Sequence, residues 1–372
     1  MDKVIVFHNN CLDGFLSAIL MTDAIKVQGP CKIGYISANY GDKPFKPTKD
    51  HQDIYLVDFS YPRDVIENYI NHENANICIF DHHETAIQNL GDLARDLVKK
   101  YKPIQFELDG DPYYYLDKGQ LYGWLADNRH KEPNQQFSGA GLIYDWMKHS
   151  ALLVYTDLNW YTKEDSIKTI ELAQRHDLWH HDGDPHDPAT YLSYWFKDWY
   201  QKHKENFKHL TINNVENNES TFKLLADTFK FDISLEDKLK IGKELVEVSL
   251  VEIRKYCDKA VPVKFDTGDL KYVDDYTRIG LIQSNDAKLN ISLTCSTLVK
   301  EYGYDIAIIA FAEEGTNNIV YSFRSDQNGT DVDVGLICKN LFDDGIAITG
   351  GGHRNAAGCK LHKDKTLFKV AI

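Results

Sequence analysis

The chain has 372 residues, enough for two domains with real cores, and 43% of it is hydrophobic against 26% charged, an ordinary balance for a soluble protein. Its formal net charge of −14 argues against long duplex DNA as a partner, because duplex binders carry a basic footprint, and no apolar run approaches the ~20 residues of a membrane span. The 7 cysteines are scattered without a Cys-x-x-Cys pair and Met1-Asp2-Lys3 leads straight into an apolar run, so reduced thiols, no signal peptide and a cytoplasmic location are expected.

The first element reads as a buried strand, Lys3-Val4-Ile5-Val6-Phe7, that ends at His8. A turn through Asn10, Cys11, Asp13 and Gly14 leads into a helix over Phe15 to Ile25. Asp53-Ile54-Tyr55-Leu56-Val57 is a second strand and delivers Asp58 at its end. Asn76-Ile77-Cys78-Ile79-Phe80 is a third and delivers Asp81-His82-His83. One aspartate after a strand is usually a turn or cap residue, and one histidine is usually a satisfied polar group. Carboxylate, imidazole, imidazole together make a poor core but a good divalent-metal site, since hard oxygen mixed with borderline nitrogen suits Mn²⁺, Fe²⁺, Co²⁺ or Zn²⁺. Ligands of open α/β sheets bind outside the carboxyl ends of the strands, so the three strand ends are expected to face one crevice.

Residues 91–137 lack the β/α alternation and read as an insertion, a lid or an interaction surface. Ser138-Gly139-Ala140-Gly141 opens a helix through Met147, and Glu171 to Trp179 reads as a helix that carries Asp177. Lys197 to His209 mixes basic and aromatic residues; it is read as a solvated helix face, with base stacking as the alternative. Leu235 to Cys257 has helical periodicity, and from about Val261 the pattern turns to strands such as Asp305 to Phe311. Near the end, Ser322-Phe323-Arg324-Ser325 precedes Gly350-Gly351-Gly352-His353-Arg354. Three glycines let backbone N–H groups approach a phosphate, and a helix starting near Asn355-Ala356-Ala357 would add its positive end.

Taken in order, these motifs resemble those of the DHH phosphoesterase superfamily. His8 to Gly14 is similar to its first motif, Asp58 to its second, Asp81-His82-His83 to its third and Arg175-His176-Asp177-Leu178-Trp179 to its fourth. Gly350 to Gly358, with Ser322 to Ser325, resembles the glycine-rich signature of its associated C-terminal domain. The resemblance covers residues 1–90, 138–185 and 235–362, and the nearest likeness is to nanoRNA-degrading and phosphoadenosine-phosphate phosphatases rather than large exonucleases. It implies an α/β chain. A parallel-sheet metal domain with helices on both faces (1–190) is followed by a helical linker (191–259) and a smaller mixed-sheet substrate domain (260–372). The site is expected in the cleft between the two domains.

The resemblance also implies one or two Mn²⁺ ions, with Mg²⁺, Co²⁺ or Zn²⁺ as substitutes. Asp58 would bridge them, Asp13, His82 and Asp177 would complete one site, and His8 would anchor the other with Asp81 nearby as a ligand or as a group behind the ligands. His83 would face the substrate phosphate. His83, Asp81 and His353 are the candidate catalytic groups. Arg324, Ser325, Gly350, Gly351, Gly352, His353 and Arg354 are the candidate substrate-binding groups. The family carries a second carboxylate between the first histidine and Asp13; here Asn10 is taken as its replacement, and Cys11 as a packing residue or bystander with a substituting thiolate as the alternative. The expected partner is a short nucleotide or single-stranded oligonucleotide, with no duplex, no membrane and a homodimer as the candidate assembly. Alternatives are a single-strand exonuclease, a cyclic-dinucleotide phosphodiesterase, or a nucleotide-binding protein with impaired catalysis.

Overall fold

Apolar runs of five or six residues separated by helices build a parallel sheet in the first part of the chain. The computed structural model describes residues 2–48, 52–71, 73–84, 86–90, 113–117, 121–128, 131–150, 163–181, 183–265, 273, 277–286, 289–325, 332–365 and 367–370. The chain divides into two compact units, Met1–His180 with Leu192–Gly242, and His181–Tyr191 with Lys243–Ile372.

The first unit contains β1 (Lys3–His8), β2 (Ile33–Ala38), β3 (Asp53–Val57), β4 (Asn76–Asp81), β5 (Tyr113–Asp117) and β6 (Leu121–Ala126). Their order in the sheet is β2-β1-β3-β4-β6-β5, parallel except for β5, which pairs antiparallel with β6. The 91–137 segment therefore holds two strands that extend the sheet. The antiparallel pairing of β5 with β6 agrees with the lack of β/α alternation there. Residues 91–112, 118–120 and 129–130 of that segment lie outside the described residues.

Helices cover both faces, because parallel strands are joined by crossovers that must cap the sheet. α1 (Leu12–Val27) is apolar around most of its circumference and buried from Leu12 to Thr22, as expected of a helix enclosed on all sides. Phe15 lies 5.4 to 6.1 Å, ring centre to ring centre, from Phe196, Trp199, Phe207, Phe222 and Phe229. Phe80 of β4 meets Trp146 of α3 (Gly139–His149) on the same face. On the opposite face α2 (Arg63–Asn71) sets Ile66, Tyr69 and Ile70 among Val4, Val6, Leu56 and Ile79.

The remaining helices of this unit are α4 (Glu164–Asp177), α5 (Pro188–Lys202), α6 (Lys204–Phe207), α7 (Glu219–Phe231) and α8 (Leu235–Cys257); the first turn of α5 and the part of α8 from Lys243 belong to the second unit. The aromatic residues of the 197–209 stretch are core: Trp199, Tyr200 and Phe207 are 6%, 7% and 4% exposed. Base stacking by them is thereby excluded, because the hydrophobic gain of packing against α1 has claimed their faces.

The second unit holds β7 (Val261–Phe265), β8 (Ile279–Gln283), β9 (Ile306–Ala312), β10 (Asn318–Ser325), β11 (Thr349–His353), β12 (Ala356–His362) and β13 (Phe368–Val370). They form a mixed sheet in the order β11-β12-β10-β9-β8-β7-β13. Two further helices belong to it, α9 (Ile291–Lys300) and α10 (Val334–Asp343). Each has a side-chain cap: Asn290 accepts from the Leu293 N–H at 3.1 Å and Asp333 from the Leu336 N–H at 2.8 Å. Such a cap is worth about 1 kcal/mol.

No helix starts at Asn355. Gly350 to His353 and Ala356 to Cys359 pair antiparallel about Arg354 and Asn355. The reason is periodicity: Ala357, Cys359 and Leu361 alternate inward, which is a strand pattern. The glycines answer to packing. A Cβ at Gly350 would lie 2.0 Å from the Cys338 carbonyl of α10, and one at Gly352 would lie 2.6 Å from the Ala357 Cα.

Candidate metal centre

β2 pairs with one side of β1 and β3 with the other, so the chain reverses its direction of travel across the sheet between β2 and β3. The loops after β1 and β3 diverge there and leave a crevice at the strand ends. His8 closes β1, Asp58 follows β3 and Asp81 closes β4, so sheet topology gathers residues that are 50 and 23 positions apart. Asp58 has φ 50, a left-handed conformation that costs a non-glycine residue about 1–3 kcal/mol and is typical of functional turns. Its own N–H donates to the Phe80 carbonyl at 2.8 Å, which ties this turn to β4.

His82 Nε2 lies 3.2 Å from Asp58 Oδ1 and 3.0 Å from Asp177 Oδ2. Asp177 is the last residue of α4 and brings a third element to the site. Asp13, in the first turn of α1, is the fourth: Asp13, Asp58, His82 and Asp177 each offer an atom within 4.8 Å of all the others. Two further sets of donors meet the same limit, His8 with Cys11 and Asp58, and Asp58 with His82 and His83. His8 Nδ1 stands 3.9 Å from Asp58 Oδ2, so Asp58 belongs to every group.

Asp81 has another task. Its Oδ1 accepts from the His82 and His83 backbone N–H groups at 2.8 and 3.1 Å and faces His83 Nδ1 at 2.7 Å. It therefore fixes the ring of His83. Burial lowers the His83 pKa, but Asp81 outweighs it and the group rises to about 9, leaving the imidazole protonated at neutral pH. Burial likewise opposes charge on His82, yet Asp177 and Asp58 hold it well above the usual range. Asp177 is pushed up by burial and pulled down further by His82, to about 2. Asp13 is raised by burial and by the charges of Asp58 and Asp177.

Several side chains hold the donors in place. Ser138 caps α3 and donates to Asp13 Oδ1 at 2.6 Å, while the Ala140 N–H donates to Asp13 Oδ2 at 3.1 Å. Gln174, one turn before Asp177, accepts from the Ser138 N–H at 3.2 Å and so joins α3 to α4. A Cβ on Gly139 would lie 2.6 Å from the Asp58 Cβ, and one on Gly14 would lie 2.5 Å from the His8 carbonyl oxygen. Both glycines are required by this close approach.

The site passes a simple test of fit for a divalent cation. Asp58 Oδ2 and Asp81 Oδ2 are buried and accept no hydrogen bond among the described residues. Buried carboxylate oxygens without partners are costly unless a cation compensates them. Three carboxylates and an imidazole at mutual ligand spacing form a mixed oxygen–nitrogen set that suits Mn²⁺, Co²⁺ or Zn²⁺.

Among the expected site residues, His8, Asp13, Asp58, His82, His83 and Asp177 converge here, and Asp81 stands behind His83. Asn10 is exposed at the turn with φ 52. Cys11, read from sequence as a bystander, is among the donors. Gly139, Ala140 and Gln174 contribute through backbone or outer contacts; the small-residue run after Ser138 was their one sequence signal. In the second unit the Arg324 guanidinium donates to Ser292 Oγ at 3.0 Å and to the Phe323 carbonyl at 2.8 Å. Ser325 is buried and its hydroxyl donates to the Val332 carbonyl at 3.2 Å. Arg354 is exposed in the β11–β12 turn. The backbone places His353 at the end of β11, and its side chain lies outside the described residues.

The chain matches no protein-family model and no curated protein. It is similar to a pGpG-specific phosphodiesterase from Vibrio cholerae at 12% identity and TM-score 0.48, over 98% of this chain and 94% of that one. It is similar to a manganese-bound RecJ exonuclease at 11% identity and TM-score 0.45, over 97% and 86% of the two chains. RecJ of Thermus thermophilus in complex with Mn²⁺ aligns at 9% identity and TM-score 0.45, over 97% of this chain and 50% of that one. In this chain itself the motifs stand in order and their donors meet at the switch point of a parallel sheet.

Proposed function

We propose that this chain is a divalent-metal-dependent phosphoesterase that hydrolyses phosphate esters of short nucleotides. The observation that carries the reading is the meeting of Asp13, Asp58, His82 and Asp177 within ligand distance, beside buried carboxylate oxygens without hydrogen bonds. Asp58 is the common donor, and His8 extends the site to a second position. When bound, the metal supplies Lewis acidity toward water and phosphate oxygens.

The chain's own groups do the rest. His83, oriented by Asp81, is placed to donate to a phosphate oxygen and to favour the more highly charged transition state. Asp81 keeps that ring in one orientation. Buried Asp13 is fixed by Ser138 and Ala140 so that its oxygens need not reorganise. Arg324, Ser325, Arg354, His353 and the Gly350–Gly352 strand are proposed to bind the nucleotide. A net charge of −14 favours a short substrate gripped by one local cationic pocket over a long strand. Manganese is the proposed ion.

The test is hydrolysis of a panel with Mn²⁺ and with EDTA: 5′-phosphorylated dinucleotides, a 5-mer, a 24-mer single strand, cyclic dinucleotides, phosphoadenosine phosphate and pyrophosphate. Turnover of the short members that is abolished by EDTA and by His82→Ala is the expected result. Preference for the 24-mer would replace the short-substrate reading with an exonuclease. No turnover of any member, with nucleotide binding intact, would leave a binding protein.

A further inference from the structure

The loop between β1 and α1 sets a sulfur where the sequence led one to expect an amide. Cys11 occupies the N-cap of α1, and its Sγ, a His8 ring nitrogen and an Asp58 oxygen lie within 4.8 Å of one another. Asp58 is fully buried, and its Oδ2, the oxygen that faces His8, accepts no hydrogen bond among the described residues. An unsatisfied buried carboxylate aimed at an imidazole and a thiol points to a cation held by all three. Without a cation, burial and the charges of Asp58, Asp177 and Asp13 hold the Cys11 thiol protonated, so the sulfur ligates only by giving up its proton to the ion's charge. Cys11 is half-buried, so solvent and ions reach it. Asn10 is exposed in the turn before it.

We infer that Cys11 is a thiolate ligand of the second metal position, giving a sulfur–nitrogen–oxygen set with His8 and Asp58 that selects Zn²⁺ or Co²⁺ over Mn²⁺ there. Thiolate is a soft donor, and soft or borderline ions gain from it what Mn²⁺ does not. The Asp13, Asp58, His82 and Asp177 set contains no sulfur and keeps the hard-ion preference. The two positions would then hold different metals. On binding, the Cys11 S–H proton leaves to solvent and the sulfur lone pair forms the bond to the ion, with no change of oxidation state. The inference rests on the metal-centre reading proposed above.

Cobalt decides the matter by spectroscopy. The full-length protein is stripped of metal, titrated with Co²⁺, and followed in the near ultraviolet while bound cobalt is counted. A sulfur-to-cobalt charge-transfer band is expected in the native protein and in Asn10→Ala. It should vanish in Cys11→Ser and Cys11→Ala, with folding checked by circular dichroism. In Cys11→Asp, competition between Zn²⁺ and Mn²⁺ at this position should move at least tenfold toward Mn²⁺. Two bound cobalt ions without the band, or a band that survives Cys11→Ser, would overturn the sulfur ligand while leaving the metal centre intact. No bound cobalt at all would overturn both readings.

Discussion

At Asp58, charge and backbone conformation can be separated experimentally. Asparagine tolerates the left-handed region almost as well as aspartate does, so Asp58→Asn should fold with a near-native circular dichroism spectrum. It should nevertheless lose metal affinity by more than the ~10–100-fold that outer partners of metal ligands are worth, as read by equilibrium dialysis. His82 supplies a second test. In the metal-free chain burial disfavours its charge, but Asp177 and Asp58 prevail and hold its pKa well above the usual value. An imidazole ligates a metal only in its neutral form, so binding through His82 expels that proton. Raising the pH therefore favours the bound form, by about tenfold in apparent affinity per pH unit for each proton released. Calorimetry in buffers of different ionisation enthalpy should show the release, and equal heats in all buffers would contradict it. That His8, Asp13, Asp58, His82 and Asp177 are ligand-type residues was legible in the sequence, because donor chemistry is written in residue type; that they meet is shown by the fold. The choice between Asn10 and Cys11 as the neighbour of His8 and Asp58 was not legible, because it depends on how one turn bends.

At the scale of elements, α3 meets the site through a residue with no side chain. A methyl on Gly139 would press on the Asp58 Cα at 2.9 Å as well as on its Cβ, and backbone cannot swing aside. Gly139→Ala is expected to cost about 1–3 kcal/mol in urea unfolding and to weaken metal binding with it, whereas Gly315→Ala, where a Cβ would meet nothing within 4 Å, should leave metal binding unchanged. α8 carries another buried group. Lys238 is 3% exposed, and its ammonium donates to the Phe229 carbonyl at 2.6 Å in the last turn of α7. Burial lowers its pKa to about 8 despite Asp165 and Asp232. Between about pH 8 and the ordinary lysine value near ~10.4 the unfolded chain binds more protons than the folded one, so stability rises with pH in that window by up to ~1.4 kcal/mol per unit. Urea titrations of the native protein should show that slope, and Lys238→Met should flatten it. The strand at Ala356 was misread as a helix start because two alanines suit either state; pairing with β10 and β11 decides between them.

At the scale of the whole molecule, the candidate metal donors found among the described residues all belong to the first unit. Saturating metal at 100 times its dissociation constant should add about 2.7 kcal/mol of stability. Hydrogen exchange should slow most along β1, β3, β4 and α4, whose ends hold the donors. Equal slowing throughout β7 to β13 would mean that the cation binds elsewhere. The sequence by itself determined the residue types of the site, the apolar runs that become the parallel strands and the helix from Leu235 to Cys257, because periodicity and donor chemistry are local properties. Only tertiary structure decided the rest. Strand order placed His8 beside Asp58, packing around Phe15 took Trp199, Tyr200 and Phe207 out of solvent, β5 and β6 joined the sheet, and the turn before α1 left Asn10 exposed and set Cys11 beside His8 and Asp58. Each of these depends on contacts between segments far apart in the chain, and such contacts leave no periodic trace in the residues that make them.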